Sequence, residues 1–136
     1  MDVDEAKEFI RSNHRAILIT HRKDGRLQTS PVAVGIDAEG MAVISSRETA
    51  YKTKNLRRDP HATATVFTTD WYGPWVQIEG EATIVSLPEA MDGLVDYYRG
   101  IAGEHPDWDD YRAAMEKEKR LLIKIDIAQA GPSSSG

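Results

Sequence analysis

The chain has 136 residues, contains no Cys and carries a formal net charge of −5, from 17 Lys and Arg against 22 Asp and Glu. This length fits one domain with one core, and the lack of Cys excludes disulfides, thiolate metal sites, iron–sulfur clusters and Cys nucleophiles. The acidic balance disfavours nucleic-acid and membrane partners, and because the N-terminus is acidic and no apolar run could span a bilayer, we expect a cytoplasmic protein.

The first part of the chain predicts a helix followed by three strands. Asp2 and Glu5 have the spacing of a capping box, and apolar residues with helical spacing follow over 3–12. Runs rich in β-branched and apolar residues predict strands at 16–20, 27–36 and 41–45. Turn sequences, including Asp24-Gly25, separate these strands, so antiparallel pairing is expected.

A basic helix is predicted after the third strand. Thr49 is its expected N-cap, Lys52 lies in its first turn, and the helix must end before Pro60, because a residue that precedes proline is pushed out of the α region. The hydroxyls before this helix, the free amides at its start and the Lys52 ammonium would together hold an anion such as a phosphate. A solvated basic helix end is the alternative interpretation.

The second part of the chain predicts three more strands and two helices. Strands are expected at 62–67 and 75–85, with Gly80 marking a bulge or a close backbone approach. Apolar spacing predicts a helix up to about Gly103, with Ser86 and Glu89 as its capping box.

A shorter helix opened by Pro106 precedes the last predicted strand, at 120–127. The domain is therefore expected to span 1–127, with a disordered tail at 128–136. Six strands joined mostly by short connections, with helices inserted between some of them, predict a mainly β fold. We expect a small closed or partly closed antiparallel barrel with peripheral helices.

Several reaction classes find no support in the motifs. The sequence lacks the nucleophile elbow G-x-S-x-G, the dinucleotide fingerprint G-x-G-x-x-G and the P-loop. No two histidines have metal-binding spacing, and all four lie in separate predicted elements: His14, His21, His61 and His105. No metal site is therefore expected.

Five segments, taken in their order, resemble the pyridoxamine-5′-phosphate-oxidase-like split β-barrel family, and most closely its branch that uses the deazaflavin coenzyme F420. They are DGRLQTSPV (24–32), ISS (44–46), KTKNLRRDP (52–60), WVQIEGEATI (75–84) and IAGEHPDWDDYRAAM (101–115). The resemblance covers roughly residues 5–127. It implies a six- to seven-stranded antiparallel split β-barrel of the FMN-binding split-barrel type.

The resemblance also implies where a cofactor would lie. Ser45, Ser46 and Lys52 fall where the family grips the coenzyme phosphate, and Asn55 follows in the same helix. The strand beneath the ring system carries four further cofactor-binding candidates: Gln28, Thr29, Ser30 and Pro31. Without the resemblance, this strand would be interpreted as an exposed sheet edge.

Family members are homodimers that hold the cofactor in a groove between subunits. The resemblance therefore makes Trp71, Tyr72 and Trp75 of the partner chain candidate walls of the ring pocket. The residues alone leave a core lid or a dimer contact open for these aromatics. Ala50 is a departure, because some relatives have an Arg there. The chain also lacks the Arg-containing C-terminal segment with which pyridoxamine-phosphate oxidases bind their substrate.

The function implied is hydride transfer from reduced F420 to a conjugated small-molecule acceptor such as a quinone, an enone or a biliverdin-like compound. The cofactor would carry the chemistry, and Ser30 is the nearest polar candidate for a proton donor. Two alternatives remain open: an FMN-dependent enzyme of the same fold, and a non-catalytic dimer that binds a flavin or a tetrapyrrole.

Overall fold

The computed structural model describes residues 1–132, which form four helices and seven strands. In chain order these elements are α1 (Val3–Ser12), β1 (Arg15–His21), β2 (Leu27–Ala33), β3 (Gly35–Ile36), β4 (Ala42–Arg47), α2 (Tyr51–Arg58), β5 (His61–Phe67), β6 (Trp75–Ser86), α3 (Met91–Ala102), α4 (Trp108–Lys117) and β7 (Arg120–Gly131).

All seven strands belong to one antiparallel sheet, in the order β2-β1-β5-β6-β7-β4-β3. β2 and β3 lie at opposite edges of this sheet, although only Val34 separates them in the chain. The sheet must therefore curl until its two edges meet. The predicted mainly β, antiparallel barrel is confirmed, but the prediction of a single strand over 27–36 is wrong at Val34, whose amide donates to the carbonyl of His14 at 2.9 Å.

The barrel interior is filled by small and branched aliphatic side chains that alternate along the strands. β5 shows this alternation, because Ala62, Ala64 and Val66 are buried and the residues between them are only half-buried. Ala6 and Ile10 of α1 are fully buried against this core. A second, smaller apolar cluster lies beneath α3. The period-2 pattern predicts this core, because alternate strand residues face the same side of a sheet.

The N-caps found at the helix starts agree only in part with the predicted ones. Asp2 caps α1 and accepts a hydrogen bond from the Glu5 amide at 2.8 Å, as predicted. The N-cap of α2 is Ala50 rather than Thr49, and it offers no side-chain acceptor. The predicted capping box of α3 is also wrong: Ser86 ends β6 and donates to Glu48 Oε1 at 2.6 Å, while Ala90 occupies the N-cap position.

The last strand is longer than predicted. β7 pairs with β6 as far as Gly131, which lies opposite Gln77. The prediction of a disordered tail is therefore wrong for residues 128–131, because backbone pairing holds them in the sheet. The same prediction for 133–136 falls outside the described residues. A register shift beside Gly80 confirms the irregularity predicted at this glycine.

Helices α3 and α4 pack through aromatic side chains. Tyr98, His105, Trp108 and Tyr111 lie with ring centroids 5.1–5.8 Å apart. The Tyr111 hydroxyl donates to the carbonyl of Leu94 at 2.9 Å, and burial raises the pKa of Tyr111 to about 12. These contacts attach α4, which begins one residue after its Asp107 N-cap, to the rest of the domain.

Candidate functional site

Strand β2 is an edge of the sheet and carries four of the predicted cofactor-binding residues. Thr29 and Pro31 are exposed, whereas Gln28 and Ser30 are half-buried on the opposite face. The strand has a hydrogen-bonded neighbour, β1, on one side only. An edge strand of this kind leaves main-chain groups available to a ligand.

A cationic groove lies beside the first half of β2. It has a volume of about 620 Å³ and is bounded by Arg22, Lys23, Leu27, Gln28, Thr29, Tyr51, Lys54, Asn55 and Arg58. Arg22 approaches Asp24 at 3.7 Å. In the described part of the chain, neither Lys23 nor Lys54 has a carboxylate within ion-pair distance. The groove therefore has a net positive charge although the protein is acidic.

Asn55 connects α2 to the β1–β2 hairpin at the base of this groove. It is 6% exposed, and its amide nitrogen donates to Gln28 Oε1 at 3.0 Å and to Thr20 Oγ1 at 3.1 Å. Arg58 donates to the Asn55 oxygen at 3.2 Å and also to the carbonyl of His21. The predicted pair Gln28 and Asn55 is thus brought into direct contact, and Asn55 holds the wall of the groove.

Replacing Asn55 with alanine is expected to cost about 2 kcal/mol of unfolding free energy. The change removes the amide that donates to Thr20 Oγ1 and Gln28 Oε1, which keep only their mutual contact at 3.4 Å, and weakening the pairing of buried polar groups costs about 1–3 kcal/mol. Urea denaturation measures the loss. Lys54→Ala, at an exposed position of the same helix, serves as control and is expected to stay within about 0.5 kcal/mol of wild type. Equal stability of Asn55→Ala and wild type would contradict this role.

Lys52 lies on a different side of α2 and faces other cations. Its ammonium is half-buried and, within residues 1–132, forms no ion pair. Burial lowers its pKa, and repulsion from Arg120 and Arg47 lowers it further. Both arginines share Glu118, at 2.9 and 3.4 Å. Lys52 is therefore a desolvated cation without a counter-ion, which is the electrostatic condition that favours an anionic ligand.

The two serines predicted beside Lys52 occupy different environments. Ser46 is 1% exposed, and its hydroxyl pairs with Thr53 Oγ1 at 2.9 Å; Thr53 in turn donates to the carbonyl of Arg47 at 2.7 Å. Ser46 thereby braces the turn between β4 and α2 from inside the protein. Ser45 lies on the other face of β4 and is half-buried.

An apolar pocket lies beyond the second half of β2. Its volume is about 580 Å³, and its walls include Pro31, Val32, Ala33, Phe67, Thr69, Ile101 and His14. Phe67 stacks on Trp71 with ring centroids 5.7 Å apart and pairs with Trp75 across β5 and β6. Trp71 is 74% exposed and Tyr72 is 92% exposed. The predicted aromatics therefore form an exposed surface beside this pocket.

The sequence indicated some of these neighbours and not others. Gln28 and Asn55 are in direct contact at the cationic groove, which Thr29 also lines, whereas Pro31 borders the apolar pocket and Lys52 is turned toward Arg47 of β4 and Arg120 of β7. Arg120, which is 68 positions beyond Lys52, carried no local signal that it lies nearby. Arg22 and Lys23 are in the hairpin turn, so their position over α2 depends on how the hairpin packs.

Two other kinds of site receive no support from residues 1–132. No helix in this range has the length and apolar character needed to cross a membrane. His, Asp and Glu side chains of the same residues form no group of three or more that could hold a metal ion.

Comparison with known structures gives extensive matches to the whole fold. The conserved hypothetical protein Rv2991 from Mycobacterium tuberculosis superposes with a TM-score of 0.77 at 23% identity, covering 100% of this chain and 92% of that one. An F420 reductase matches with a TM-score of 0.70 at 17% identity, covering 92% and 94%. A heme binding protein from Mycobacterium smegmatis matches with a TM-score of 0.70 at 17% identity, covering 94% and 52%.

These identities establish a shared fold, and the sequence itself matches a family profile. Residues 3–132 match the family described as pyridoxamine 5′-phosphate oxidase, which is almost the entire described chain. The resemblance expected from the five sequence segments is thereby confirmed at the level of the family. This match and the seven-stranded curled sheet show that the chain belongs to the pyridoxamine 5′-phosphate oxidase family.

Proposed function

We propose that the protein is an F420H2-dependent oxidoreductase that reduces a conjugated small-molecule acceptor, such as a quinone, an enone or a biliverdin-like compound. In this proposal it acts as a homodimer, with the cofactor in a groove between the subunits. The membership of the family supports a redox role, and the similarity to an F420 reductase supports the choice of cofactor.

The observation that carries the proposal is the difference between the two ends of β2. One end borders the cationic groove and the other borders the apolar pocket. From Gln28 to Val32 the strand advances about 13 Å, at about 3.3 Å per residue. The cationic groove would face the anionic part of the cofactor, the ring would lie along β2, and the apolar pocket beyond it would be left for the acceptor.

Lys52 is the proposed ligand of the phosphate. Its ammonium is half-buried, lacks a carboxylate partner in the described chain, and lies beside Arg47 and Arg120. The α2 N-cap, Ala50, supplies no side-chain acceptor to the amides of the first helical turn, so these donors stay available to an anion. Ser45 and the backbone around Ser46 would complete this end of the site.

The surplus of cations favours F420 over FMN. FMN ends at its phosphate, whereas F420 continues beyond the phosphate into a tail that bears carboxylates. Lys23, Lys54 and Arg58 line the cationic groove on a different side of α2 from Lys52, and a tail that continued past the phosphate into this groove would meet their positive charge. The FMN enzyme is thus the weaker of the two cofactor assignments.

The chain's own residues orient the reactants and exclude water. When bound, F420H2 supplies a hydride from its deazaflavin ring. Gln28, Thr29 and Pro31 would support the ring from the edge strand, and Ser30, whose neighbour across the β1–β2 pair is Leu18, is the proposed hydroxyl near its reactive face. Trp71 and Trp75 of the partner subunit's corresponding hairpin would close the site against solvent.

Fluorescence titration with F420 and, separately, with FMN tests the proposal. We expect saturable binding of F420 and weaker binding of FMN. Turnover is then measured as oxidation of F420H2 by menadione. Tighter binding of FMN would favour the flavin enzyme, and tight F420 binding without turnover of quinone, enone or biliverdin would favour a non-catalytic binding protein. Binding of neither cofactor would contradict both.

The affinity for F420 is expected to fall as the pH rises toward the alkaline range. Burial lowers the pKa of Lys52, and a bound anion favours the charged form, so affinity is lost as the pH increases through the lowered pKa. This loss should begin below the ordinary Lys value of about 10.4. Lys52→Arg, which stays charged, should keep its affinity over the pH range in which the wild-type protein loses it. Identical pH profiles of the two proteins would contradict the assignment.

A further inference from the structure

His14 is the most distinctive polar residue on the wall of the apolar pocket. Its Nδ1 lies 2.8 Å from the carbonyl oxygen of Val34, and the Val34 amide donates back to the carbonyl of His14 at 2.9 Å. A carbonyl oxygen only accepts, so Nδ1 must carry the hydrogen. This contact fixes the ring orientation and leaves Nε2 as the functional nitrogen.

Nε2 of His14 has no hydrogen-bond partner in the described part of the chain. The ring is half-buried, and it lies between the apolar pocket and a second cavity of about 560 Å³ beneath α3. Asn13, which is next to it on the pocket wall, already uses its amide to donate to the carbonyl of Phe9 at 3.0 Å. The His14 ring is therefore held by the Nδ1 contact, and Nε2 is available to a ligand.

The charges around the pocket restrict the ligand that it suits. Arg15 is the one fixed cation among the described residues on its walls, and no Asp or Glu is present there. Pro31, Val32, Phe67 and Ile101 supply apolar surface. The two propionate groups of a tetrapyrrole would pair with Arg15 and with the His14 ring and leave no donor for the reacting atom, whereas an uncharged quinone needs only a donor at its oxygen. The walls fit the quinone better.

From this geometry, and on the basis of the function proposed above, we infer that the pocket is the acceptor subsite, that its substrate is an uncharged quinone, and that His14 Nε2 binds and protonates the quinone oxygen. In this step bound F420H2 would supply the hydride and be oxidised, and His14 carrying a hydrogen on both ring nitrogens would give the quinone oxygen its proton from Nε2–H. The product is the hydroquinone, whose new O–H then donates to Nε2 of the neutral ring. His14 regains its proton from solvent.

The inference is tested without turnover, by 15N NMR of the histidine rings in cofactor-free protein and again with oxidised F420. Menadione is the quinone probe, and biliverdin is the dicarboxylate probe. We expect menadione to shift the Nε2 resonance of His14 and to leave that of His105, in the α3–α4 cluster, unchanged. Biliverdin is expected to bind more weakly and to leave His14 unaffected.

Two substitutions distinguish the contribution of Nδ1 from that of Nε2 to menadione binding. The amide of His14→Asn can keep the contact with Val34 but has no group at the Nε2 position, and its affinity for menadione should fall about fivefold, as for one lost hydrogen bond. His14→Gln places an amide near the Nε2 position and should recover most of this affinity. An unchanged His14 resonance on menadione binding, absence of menadione binding in both states, or tighter biliverdin binding would overturn the inference.

The outcome of this experiment can be distinguished from the outcome of the test of F420 binding. F420 affinity depends on Lys52 and is measured without a quinone, so a protein that binds F420 but shows no response at His14 would retain the cofactor proposal and lose the acceptor site. A protein that binds menadione at His14 but does not bind F420 would retain the quinone site and lose the cofactor proposal.

Discussion

Lys52→Ala is expected to weaken F420 binding by about 1.5–3 kcal/mol, which corresponds to roughly a 10- to 150-fold increase in Kd. The change removes one charge-assisted hydrogen bond to the phosphate, and the ammonium has no carboxylate partner in residues 1–132 whose release could compensate. Folding should not suffer, because the substitution also removes a desolvated cation from beside Arg47 and Arg120. Fluorescence titration gives the Kd.

The matched control is Lys117→Ala, which removes the same charge from an exposed position at the end of α4. It should leave F420 affinity within about twofold of wild type, because an exposed charge that makes no hydrogen bond to the phosphate is largely screened by salt. Wild-type affinity in a folded Lys52→Ala protein would refute the phosphate assignment.

Gly80→Ala is expected to destabilise the domain by about 3 kcal/mol or more. A Cβ at this position would lie 1.9 Å from the carbonyl oxygen of Asp126 on the neighbouring strand, where the β6–β7 register shifts. Neither backbone can yield without breaking the ladder, and forced overpacking in a core typically costs about 1–3 kcal/mol. Thermal or urea unfolding measures the loss.

Gly100→Ala is the corresponding control, because no atom outside its own helix backbone lies within 4 Å of the added Cβ. It lies within α3, where replacing glycine by alanine is expected to stabilise by about 0.5–1 kcal/mol. The two alanine substitutions should therefore have opposite signs. A Gly80→Ala protein as stable as Gly100→Ala would show that β6 and β7 are not in this register.

Local sequence signals were sufficient for most of the fold. The Asp24-Gly25 turn places glycine where φ is +86°, and alternation in β5 identifies its buried face. The break at Val34 was missed, since the residues around it remain strand-like and only barrel closure moves β3 to the other edge. The predicted Ser86 cap is wrong because the Ser86 hydroxyl bonds Glu48, a partner 38 residues away.

The candidate site was predicted less completely than the fold. Its residues were predicted mainly from the family resemblance. Spacing marked Lys52 and Asn55 on one helix, but it gave no indication that Asn55 turns inward to Gln28 while Lys52 faces Arg120. Such pairings join residues that are distant in the chain. They depend on how α2 packs on the barrel, which neither propensity nor motif specifies.

A crystal structure of the protein with F420 bound tests the central claim most directly. We expect a phosphate oxygen within about 3 Å of Lys52 Nζ, the usual length of a charge-assisted hydrogen bond, and the deazaflavin ring along β2 between Gln28 and Pro31. A ring bound beneath α3, or a phosphate away from Lys52, would contradict the account.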